Sequence, residues 1–496
     1  MPRQTQGVCW AKVLPTPVAR PALLAHSREV AKLLNLSEAD VHSAEFLHAF
    51  SGNGLLPGMV SYATCYGGHQ FGHWAGQLGD GRAIGLGELI NQTGERWELQ
   101  LKGAGPTPYS RRGDGRAVLR SSIREFLCSE AMHHLGIPTT RALSLIGTGE
   151  PVIRDMFYDG NPRPEPGAIV CRVAPSFTRF GHFEILAARG ELELLRQLID
   201  FTIARDFPFI DKTSPERFAT WFRQVCERTA QLVVEWWRVG FVHGVMNTDN
   251  MSIIGQTIDY GPYGWIDNFD LGWTPNMTDA DSHRYCFGKQ FEIARWNLER
   301  LADSLSLVLP SKSILDEGLA QFDAVLKSEK FAMLAGKFGL LKWQVGDDDL
   351  VASIFELMTR AEVDMSKFFR SLADIKMQIP ELEVLRSAFY QAELCESYQA
   401  NFGQWLHRYA ARLSQQLDSD EARRSRMNLV NPHFVLRNYL AQTAIDAAMR
   451  EDVSMIHKLM EAARNPYSDN IPVELTEKRP DWAVNYPGCS MLSCSS

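Results

Sequence analysis

The chain has 496 residues, and 51 lysines and arginines against 59 aspartates and glutamates give it a formal net charge of -8. This acidic balance argues against a nucleic-acid or anionic-membrane partner, because both attract proteins with a cationic excess. Apolar residues make up 45% of the sequence and charged residues 22%, which is typical of a folded globular protein. At about 150 residues per domain, the length predicts two or three packed cores.

Neither a membrane-spanning helix nor a secretory signal is predicted. Uninterrupted apolar runs of about 18 residues do not occur in the sequence, and its first part is rich in proline. Nine cysteines, an odd number without a C-x-x-C pair, predict neither a disulfide framework nor a zinc site. We therefore expect a cytoplasmic protein, with a mitochondrial location as the alternative for a eukaryotic chain.

The composition changes along the chain. Glycine-rich and short alternating segments dominate the first 185 residues, whereas long helical periodicities dominate the rest. We expect an α+β protein with an N-terminal lobe over residues 1–185 that carries nucleotide-binding loops. A mostly helical lobe follows over 186–480, and a cysteine-containing tail occupies 481–496.

Apolar spacing predicts the elements of the N-terminal lobe. Residues 23–36 predict a helix, and the alternation over 97–102 predicts a half-buried strand that ends in a lysine. Residues 119–131 have helical spacing, with Gly136 as a C-cap, and 169–173 predict a second strand.

The helical lobe begins with a long amphipathic pattern. Ser214 is the predicted N-cap of a helix that ends at Gly240, and its apolar stripe predicts burial along one side. Further helices are predicted over 284–308, 348–372, 382–416 and 432–462. Proline-rich loops are predicted over 159–167 and 465–480.

Eight glycines fall among the 21 residues of the segment 67–87. Glycines allow main-chain N–H groups to approach an anion closely, so we expect backbone contact with a ligand rather than side-chain packing here. The segment contains Gly79, Gly81 and Arg82, and an arginine beside such glycines can hold phosphate oxygens. Tight turns are the alternative explanation of the glycines.

A lysine on a strand followed by a glutamate on a helix is the arrangement that protein kinases use to fix the phosphates of a nucleotide. Lys102 ends a predicted strand, and Glu125 lies on the predicted helix that follows. Between them lies a second glycine-rich turn with Asp114 and Gly115. Surface lysines and helix glutamates are common, so the order of these residues, rather than either one alone, indicates a nucleotide site.

The segment 243–261 predicts a loop followed by a short hairpin with a Gly-Gln turn and an acidic strand end. Kinase-like folds place their catalytic loop and metal-binding aspartate in this order. Asn250 and Asp259 supply hard oxygen ligands of the kind that Mg²⁺ takes. The alternative is that both residues cap turns.

The position of the catalytic base in this loop is unusual. Hydroxyl phosphotransferases have an aspartate directly after a His-Arg or His-Gly dipeptide, whereas here Val245 follows His243 and Gly244. Valine cannot accept a proton. Asp249 is the nearest replacement, and its displacement along the loop would present an acceptor to a different point on the nucleotide.

Four motifs together resemble the selenoprotein O family: YGGHQFGHWAGQLGDGRA, LQLKGAGPTPYSRRGDGRAVLRSSIREF, RVAPSFTRFGHFE and GVMNTDNMSIIGQTIDYGPYGWID. The resemblance implies a bilobal protein-kinase-like fold that lacks the usual catalytic aspartate. It also implies transfer of AMP from ATP to serine, threonine or tyrosine hydroxyls of proteins, with Mg²⁺ or Mn²⁺ and release of pyrophosphate. ATP is then held in reversed orientation, so that its α-phosphate meets the acceptor.

The resemblance assigns roles to individual residues. Asp249 matches the proton acceptor, Glu125 the ion-pair partner of the phosphate-binding lysine, and Asn250 and Asp259 the metal ligands. The positions that match ATP contacts are Gly79, Gly81, Arg82, Lys102, Asp114, Gly115, Arg172, Arg179 and Asp259. Arg172 and Arg179 resemble the pair that grips the phosphates in the reversed orientation.

The C-terminal tail contains Cys494, at the position where eukaryotic members of the family carry selenocysteine. A thiol there is oxidisable, so a redox role is predicted, with pairing to Cys489 or to a cysteine of the body. The alternative is an unstructured tail without a role.

Two other functions are left open beside AMP transfer, with self-modification as a further possibility for the acceptor. The His-Gly dipeptide is compatible with a kinase-like phosphotransferase, although Val245 opposes it. A pseudokinase scaffold would bind ATP without reacting. No nucleic acid and no membrane are expected as partners.

Overall fold

The computed structural model of the protein describes residues 9–309, 311–489 and 491–493. Over these residues the chain is a mixed α/β structure, with most strands before residue 175 and most helices after it. This distribution is consistent with the predicted α+β class. Among the described helices, none combines the length and the apolar character needed to cross a membrane.

Ten of the twelve described strands lie in the first part of the chain. The strands are β1 (Trp10–Lys12), β2 (Ala22–His26), β3 (Tyr62–Thr64), β4 (Gly67–Gln70), β5 (His73–Gln77), β6 (Ala83–Ile90), β7 (Arg96–Lys102), β8 (Ala117–Val118), β9 (Arg141–Arg154), β10 (Arg163–Ala174), β11 (Phe241–Val242) and β12 (Gly264–Trp265). The main sheet is antiparallel in the order β1-β3-β6-β7-β10-β9-β2, and β8 pairs with β10. The pairs β4-β5 and β11-β12 form two small separate sheets.

The helices precede, interrupt and follow the main sheet. Those up to the loop after β11 are α1 (Arg28–Leu33), α2 (Glu38–Val41), α3 (Ala44–Phe50), α4 (Leu119–His134), α5 (Phe180–Ala188), α6 (Leu192–Asp206) and α7 (Arg217–Val239). The later ones are α8 (Gln290–Leu305), α9 (Lys312–Lys337), α10 (Asp347–Arg360), α11 (Met365–Leu372), α12 (Ala392–Ser397), α13 (Gln399–Leu413), α14 (Asp420–Val430), α15 (Asn438–Ala448), α16 (Ser454–Ala463) and α17 (Val473–Thr476).

Helix α4 lies between the main sheet and the C-terminal helices. Residues 119–132 of this helix are all buried, because β9 and β10 contact it together with α15 and α16. Its buried carboxylate Glu130 is paired with Arg141 at 2.7 Å, which removes the penalty of an isolated internal charge. Apolar residues of the sheet also form a second core with α1, α2 and α3. The main sheet therefore packs against α4 and, through the second core, against α1, α2 and α3.

The long helix α7 carries the predicted apolar stripe and ends where the sequence predicts. Gly240 adopts a left-handed conformation with φ 76°, which a residue without a Cβ adopts at little cost. The predicted start at Ser214 is wrong, because the helix begins at Arg217. The hydroxyl oxygen of Ser214 instead accepts from the N–H of Glu216 at 3.2 Å in a preceding turn.

The predicted helix over 23–36 is wrong in its first half. Residues 22–26 form strand β2, which pairs with β9 at the edge of the main sheet. Helix α1 begins only after Ser27, whose hydroxyl accepts from the N–H of Val30 at 3.3 Å. A short apolar run is compatible with either element, and pairing with the sheet edge decides between them.

The hairpin predicted within the segment 243–261 is also wrong. Ser252 bridges to Arg179, and Thr257 bridges to Thr139, so both segments pair with distant parts of the chain rather than with each other. Gly255, with φ 73°, turns the chain between them. The acidic residue that follows, Asp259, is therefore positioned by the pairing of its neighbours with distant segments and not by a hairpin.

Several other boundaries differ from the predicted patterns. Strand β10 begins at Arg163, inside a predicted loop, because it pairs in register with the end of β9. The helical patterns over 348–372, 382–416 and 432–462 each divide into shorter helices. Glu362, with φ 47°, separates α10 from α11.

Candidate active site

A cavity with a volume of about 660 Å³ opens between strands β6, β7 and β10 and the loop after β11. This volume is within the range of small-molecule pockets. The cationic side chains that line it are Arg82, Lys102, Arg111, Arg112, Arg116, Arg154, Arg172 and Arg179. The carboxylates that line it are Asp80, Asp114 and Asp259. A chain with a net charge of -8 thus concentrates positive charge here, which suits an anionic ligand.

The glycines of the cavity have a packing role that differs from the expectation of backbone contact alone. Gly79 and Gly115 have φ angles of 122° and 68°. A Cβ on Gly79 would lie 2.7 Å from Cγ of Tyr109, and one on Gly115 would lie 2.1 Å from the backbone of Gly105. Gly81 also lines the cavity. At Gly79 and Gly115 any side chain would displace neighbouring protein atoms.

The structure brings the predicted lysine and glutamate into direct contact. Nζ of Lys102, at the end of β7, lies 2.5 Å from Oε2 of Glu125 on α4. Oε1 of Glu125 also lies 3.3 Å from Nη1 of Arg172 on β10. Burial lowers the pKa of Lys102, although Glu125 opposes this effect. One buried carboxylate therefore aligns two cations that face the cavity.

Asp259 is the anionic centre of the site. Its Oδ1 lies 2.5 Å from Nη1 of Arg172, and its Oδ2 contacts Nη1 of Arg179. Burial alone would raise the pKa of Asp259, but Arg179, Arg172 and Lys102 outweigh it and hold that pKa well below its usual range. The residue has φ 57°, a strained conformation that is found preferentially at functional sites.

Asp249 lies on a short 3₁₀ turn, Thr248–Asn250, and is nearly buried. Nε2 of Gln70 lies 3.2 Å from its Oδ2, and Nη1 of Arg179 donates to its backbone oxygen at 2.9 Å. Burial raises the pKa of Asp249 to about 7, against the opposing effects of Gln70 and Arg179. The described lining of the cavity includes Asn250 but not Asp249, so the carboxylate lies beside the cavity rather than within it.

Two asparagines from outside the segment 243–261, and His243 within it, fix the backbone of this segment. Nδ2 of Asn276 donates to the carbonyl of Gly244, and Nδ2 of Asn297 donates to that of Met246, each at 3.0 Å. The His243 side chain bonds the carbonyl of Ile258 at 2.9 Å through Nε2. Burial lowers the pKa of His243, which keeps the imidazole neutral. The asparagines were not predicted, because nothing in the local sequence distinguishes them from surface residues.

The mouth of the cavity contains arginines that sequence reasoning did not single out. Asp114 is paired there with Arg154, at 2.6 Å between Oδ1 and Nη2. Arg111 and Arg112 also line the cavity and stand together in one of the motifs, which is the signal that could have identified them.

Asp80 is a further buried acid beside the cavity, and its position was not predicted. Its Oδ2 accepts from the N–H of Thr64 at 2.8 Å, and its Oδ1 lies 4.0 Å from Nη2 of Arg179. Burial raises the pKa of Asp80, although Arg179 and the hydrogen bonds from Thr64 oppose this.

Of the two cysteines of the predicted redox pair, Cys494 lies outside the described residues. Cys489 is a buried free thiol, and burial raises its pKa to about 12. A thiol with such a pKa is almost entirely protonated at neutral pH and reacts slowly. The redox role of these two cysteines stays a prediction.

The donor set of the site fits a divalent cation. Asp259 is ionised, and Asn250 directs its Nδ2 to the carbonyl of Val245 at 2.9 Å, which leaves the amide oxygen as its remaining ligand atom. Both residues line the cavity and offer the hard oxygens that Mg²⁺ or Mn²⁺ prefers.

His182 fixes the backbone next to one of the buried arginines. The N–H of Arg179 donates to Nδ1 of His182 at 3.0 Å, and the imidazole packs against Tyr66 with ring centroids 5.2 Å apart. Burial, with contributions from Arg179 and Arg205, lowers the pKa of His182 from 6.5 to about 3. The imidazole is therefore neutral when it accepts this bond.

Stability should depend on pH through His182. Below pH 6.5 the unfolded chain takes up a proton at this residue, whereas the folded imidazole resists protonation down to about pH 3, so acidification favours unfolding. Relative to His182→Gln, which accepts the same N–H without titrating, wild type should lose about 1 to 3 kcal/mol of unfolding free energy between about pH 7 and pH 5. Denaturant titrations measure this difference, and parallel pH profiles would contradict it.

Comparison with known proteins identifies the family. The model of a family described as protein adenylyltransferase SelO matches residues 4–464. A protein nucleotidyltransferase YdiU of Methylobacillus flagellatus is 60% identical over 497 residues, which cover 100% of this chain and 96% of the relative. A protein of the same name from Tolumonas auensis is also 60% identical, with the same coverage.

A third relative of that name, from Xanthomonas axonopodis pv. citri, is 58% identical over 496 residues, which cover 100% of this chain and 96% of the relative. The predicted family and the predicted enzyme class, a nucleotidyltransferase, are therefore confirmed. The chain belongs to the protein adenylyltransferase SelO family.

Proposed function

We propose that this chain transfers AMP from ATP to serine, threonine or tyrosine hydroxyls of proteins and releases pyrophosphate. The observation that carries the proposal is the cationic cavity, in which Val245 stands where hydroxyl phosphotransferases have an aspartate. Membership of the family supports the same reaction. The proposal includes a bilobal kinase-like arrangement, with lobes over 1–185 and 186–480 and a tail over 481–496.

The reducing cytoplasm is the proposed compartment. The cysteines of the described part of the chain are free thiols, which accords with a reducing environment. Hydroxyls of the chain itself are proposed as acceptors beside those of other proteins, because both present the same chemistry to the site.

The triphosphate of ATP is the proposed anion of the cavity. Lys102, Arg172 and Arg179 are buried, and buried charges act on a phosphate more strongly than solvated ones. In the reversed orientation, these cations bind the outer phosphates, and the α-phosphorus faces the loop that carries Asn250. The further ATP contacts that we propose are Gly79, Gly81, Arg82, Asp114, Gly115 and Asp259.

Asp259 has a double role in the proposal. Before ATP enters, its carboxylate keeps Arg172 and Arg179 paired and in place. Together with Asn250, it would hold Mg²⁺ or Mn²⁺, which neutralises phosphate charge when bound. The two arginines can then turn from the carboxylate to the phosphates without leaving a buried charge unpaired.

Asp249 is the proposed proton acceptor. The hydroxyl oxygen of the substrate protein forms a bond to the α-phosphorus, and the bond from that phosphorus to the oxygen of the departing pyrophosphate breaks. Asp249 takes the hydroxyl proton. With a pKa of about 7, its carboxylate is a stronger base than a solvated aspartate. Lys102, Arg172 and Arg179 stabilise the charge that develops on pyrophosphate.

The position of the transferred label tests the reaction. ATP labelled at the α-phosphate should label protein, whereas ATP labelled at the γ-phosphate should not. Asp249→Asn, which keeps the shape of the side chain and removes the base, should slow labelling by about 10²-fold to 10⁴-fold. Its thermal unfolding serves as the control for folding. Label from the γ-phosphate would indicate a phosphotransferase, and no label from either would indicate a scaffold, so both results contradict the proposal.

The exchange of partners at Asp259 predicts opposite effects on activity and on binding. Asp259→Asn should lower labelling by about 10²-fold or more, because a metal ligand is lost. The same variant should be stabilised by ATP in EDTA more than wild type is, because Arg172 and Arg179 no longer have a competing carboxylate. Thermal unfolding measures the second effect.

Glu130→Gln is the matched control for this measurement. It also removes a buried carboxylate, the partner of Arg141, but lies away from the cavity. ATP in EDTA should stabilise Glu130→Gln no more than it stabilises wild type. Equal ATP stabilisation of wild type and Asp259→Asn would contradict the proposed exchange.

A further inference from the structure

The hairpin formed by β4 and β5, residues 67–77, lies directly on the proposed catalytic loop. Nε2 of Gln70 lies 3.2 Å from Oδ2 of Asp249 and 3.4 Å from its Oδ1. A Cβ on Gly68 would lie 2.5 Å from Oδ1 of Asp249. The carboxylate therefore lies between one side-chain amide and the backbone of the same hairpin, which approaches as closely as a glycine allows.

The tip of the hairpin is strained. Gln70 pairs with His73 across a two-residue turn, in which Phe71 has φ 51° and Gly72 has φ 87°. A left-handed conformation costs a residue other than glycine about 1 to 2 kcal/mol. Such strain persists only where the surroundings impose it.

Contacts to the proposed catalytic loop and to the segment just before α8 impose this strained conformation on Phe71. The N–H of Phe71 donates to the hydroxyl of Tyr285 at 2.8 Å, and the two rings pack with centroids 5.2 Å apart. The Tyr285 hydroxyl donates to Oδ1 of Asn247 at 2.7 Å. The turn is thereby connected to the loop residue two positions before Asp249.

His69, on strand β4 of the hairpin, is anchored by contacts that do not involve Gln70. The N–H of His69 donates to the hydroxyl of Thr248 at 2.7 Å, and Nδ1 of His69 lies 2.7 Å from Oε2 of the buried Glu184. These contacts, with those of Phe71, hold the hairpin without help from Gln70. The amide of Gln70 adds a contact to the Asp249 carboxylate itself, which none of these anchoring contacts makes.

We propose that Gln70 is a positioning residue that orients the Asp249 carboxylate towards the acceptor hydroxyl. This inference rests on the proposed AMP transfer and adds Gln70 to its machinery. An amide is uncharged, so it can donate to the carboxylate without neutralising it. A carboxylate has about four acceptor sites, which leaves room for the hydroxyl of the substrate.

Kinetics of Gln70→Leu test the inference. The substitution keeps the approximate volume and removes the donor, so kcat for α-label incorporation should fall about tenfold to hundredfold, as for a misoriented catalytic group. KM for ATP and the thermal stabilisation by MgATP should stay at the wild-type values, because Gln70 does not line the cavity. The acceptor is whichever peptide with a single serine, threonine or tyrosine the wild type labels fastest.

Two further variants complete the test. Gln70→Glu has nearly the same shape but places a second acceptor beside Asp249, so its kcat should fall at least as far as that of Gln70→Leu. Gln77→Leu makes the same change on the same hairpin at a residue that contacts Arg189 instead, and should keep kcat within about twofold of wild type.

The outcomes separate the inference from the function on which it rests. Wild-type kcat in Gln70→Leu, or loss of MgATP stabilisation in parallel with activity, would overturn the positioning role while leaving AMP transfer intact. No label on any acceptor with the wild type would overturn AMP transfer itself, and the positioning role with it.

Discussion

A buried series of alternating charges connects the elements around the cavity. Lys102 pairs with Glu125, and the same carboxylate reaches Arg172. Arg172 and Arg179 then hold the two oxygens of Asp259. Charges at this depth are tolerated only when each has a partner, so each side chain restrains the next. Strands β7 and β10, helices α4 and α5 and the segment after the proposed catalytic loop are thereby fixed by charge as well as by apolar packing.

This arrangement gives the cavity a charge that suits an anionic ligand. Three of the five charges are cations, and further arginines line the cavity. A triphosphate that binds as we propose would meet groups that folding has already oriented. The strain of Asp259 indicates that the surrounding structure keeps this carboxylate in place even where its backbone is unfavourable.

Those parts of the fold and site that depend on local patterns could be predicted from the sequence. The alternation that ends at Lys102 and the helical spacing around Glu125 place these residues on a strand and a helix. The apolar stripe predicted that α7 ends at Gly240, and this glycine adopts the left-handed C-cap conformation. The displaced acid Asp249 was visible from its spacing to Val245, although its role stays a prediction.

Features that depend on contacts between distant segments could not be predicted. Residues 22–26 have the apolar pattern of a helix, and only their pairing with β9 makes them a strand. Thr257 bridges to Thr139 instead of closing a hairpin. The contact of Gln70 with Asp249 joins residues 179 positions apart, and a glutamine in a glycine-rich segment has no local signal of such a role.

The orientation of bound ATP tests the central claim most directly. A crystal structure with an unreactive ATP analogue and Mg²⁺ should show the outer phosphates on Lys102, Arg172 and Arg179. The α-phosphorus should then be the phosphorus nearest to the loop of Asp249 and Asn250. An analogue seated with its γ-phosphorus at that loop and its α-phosphorus deep among the arginines would contradict the claim.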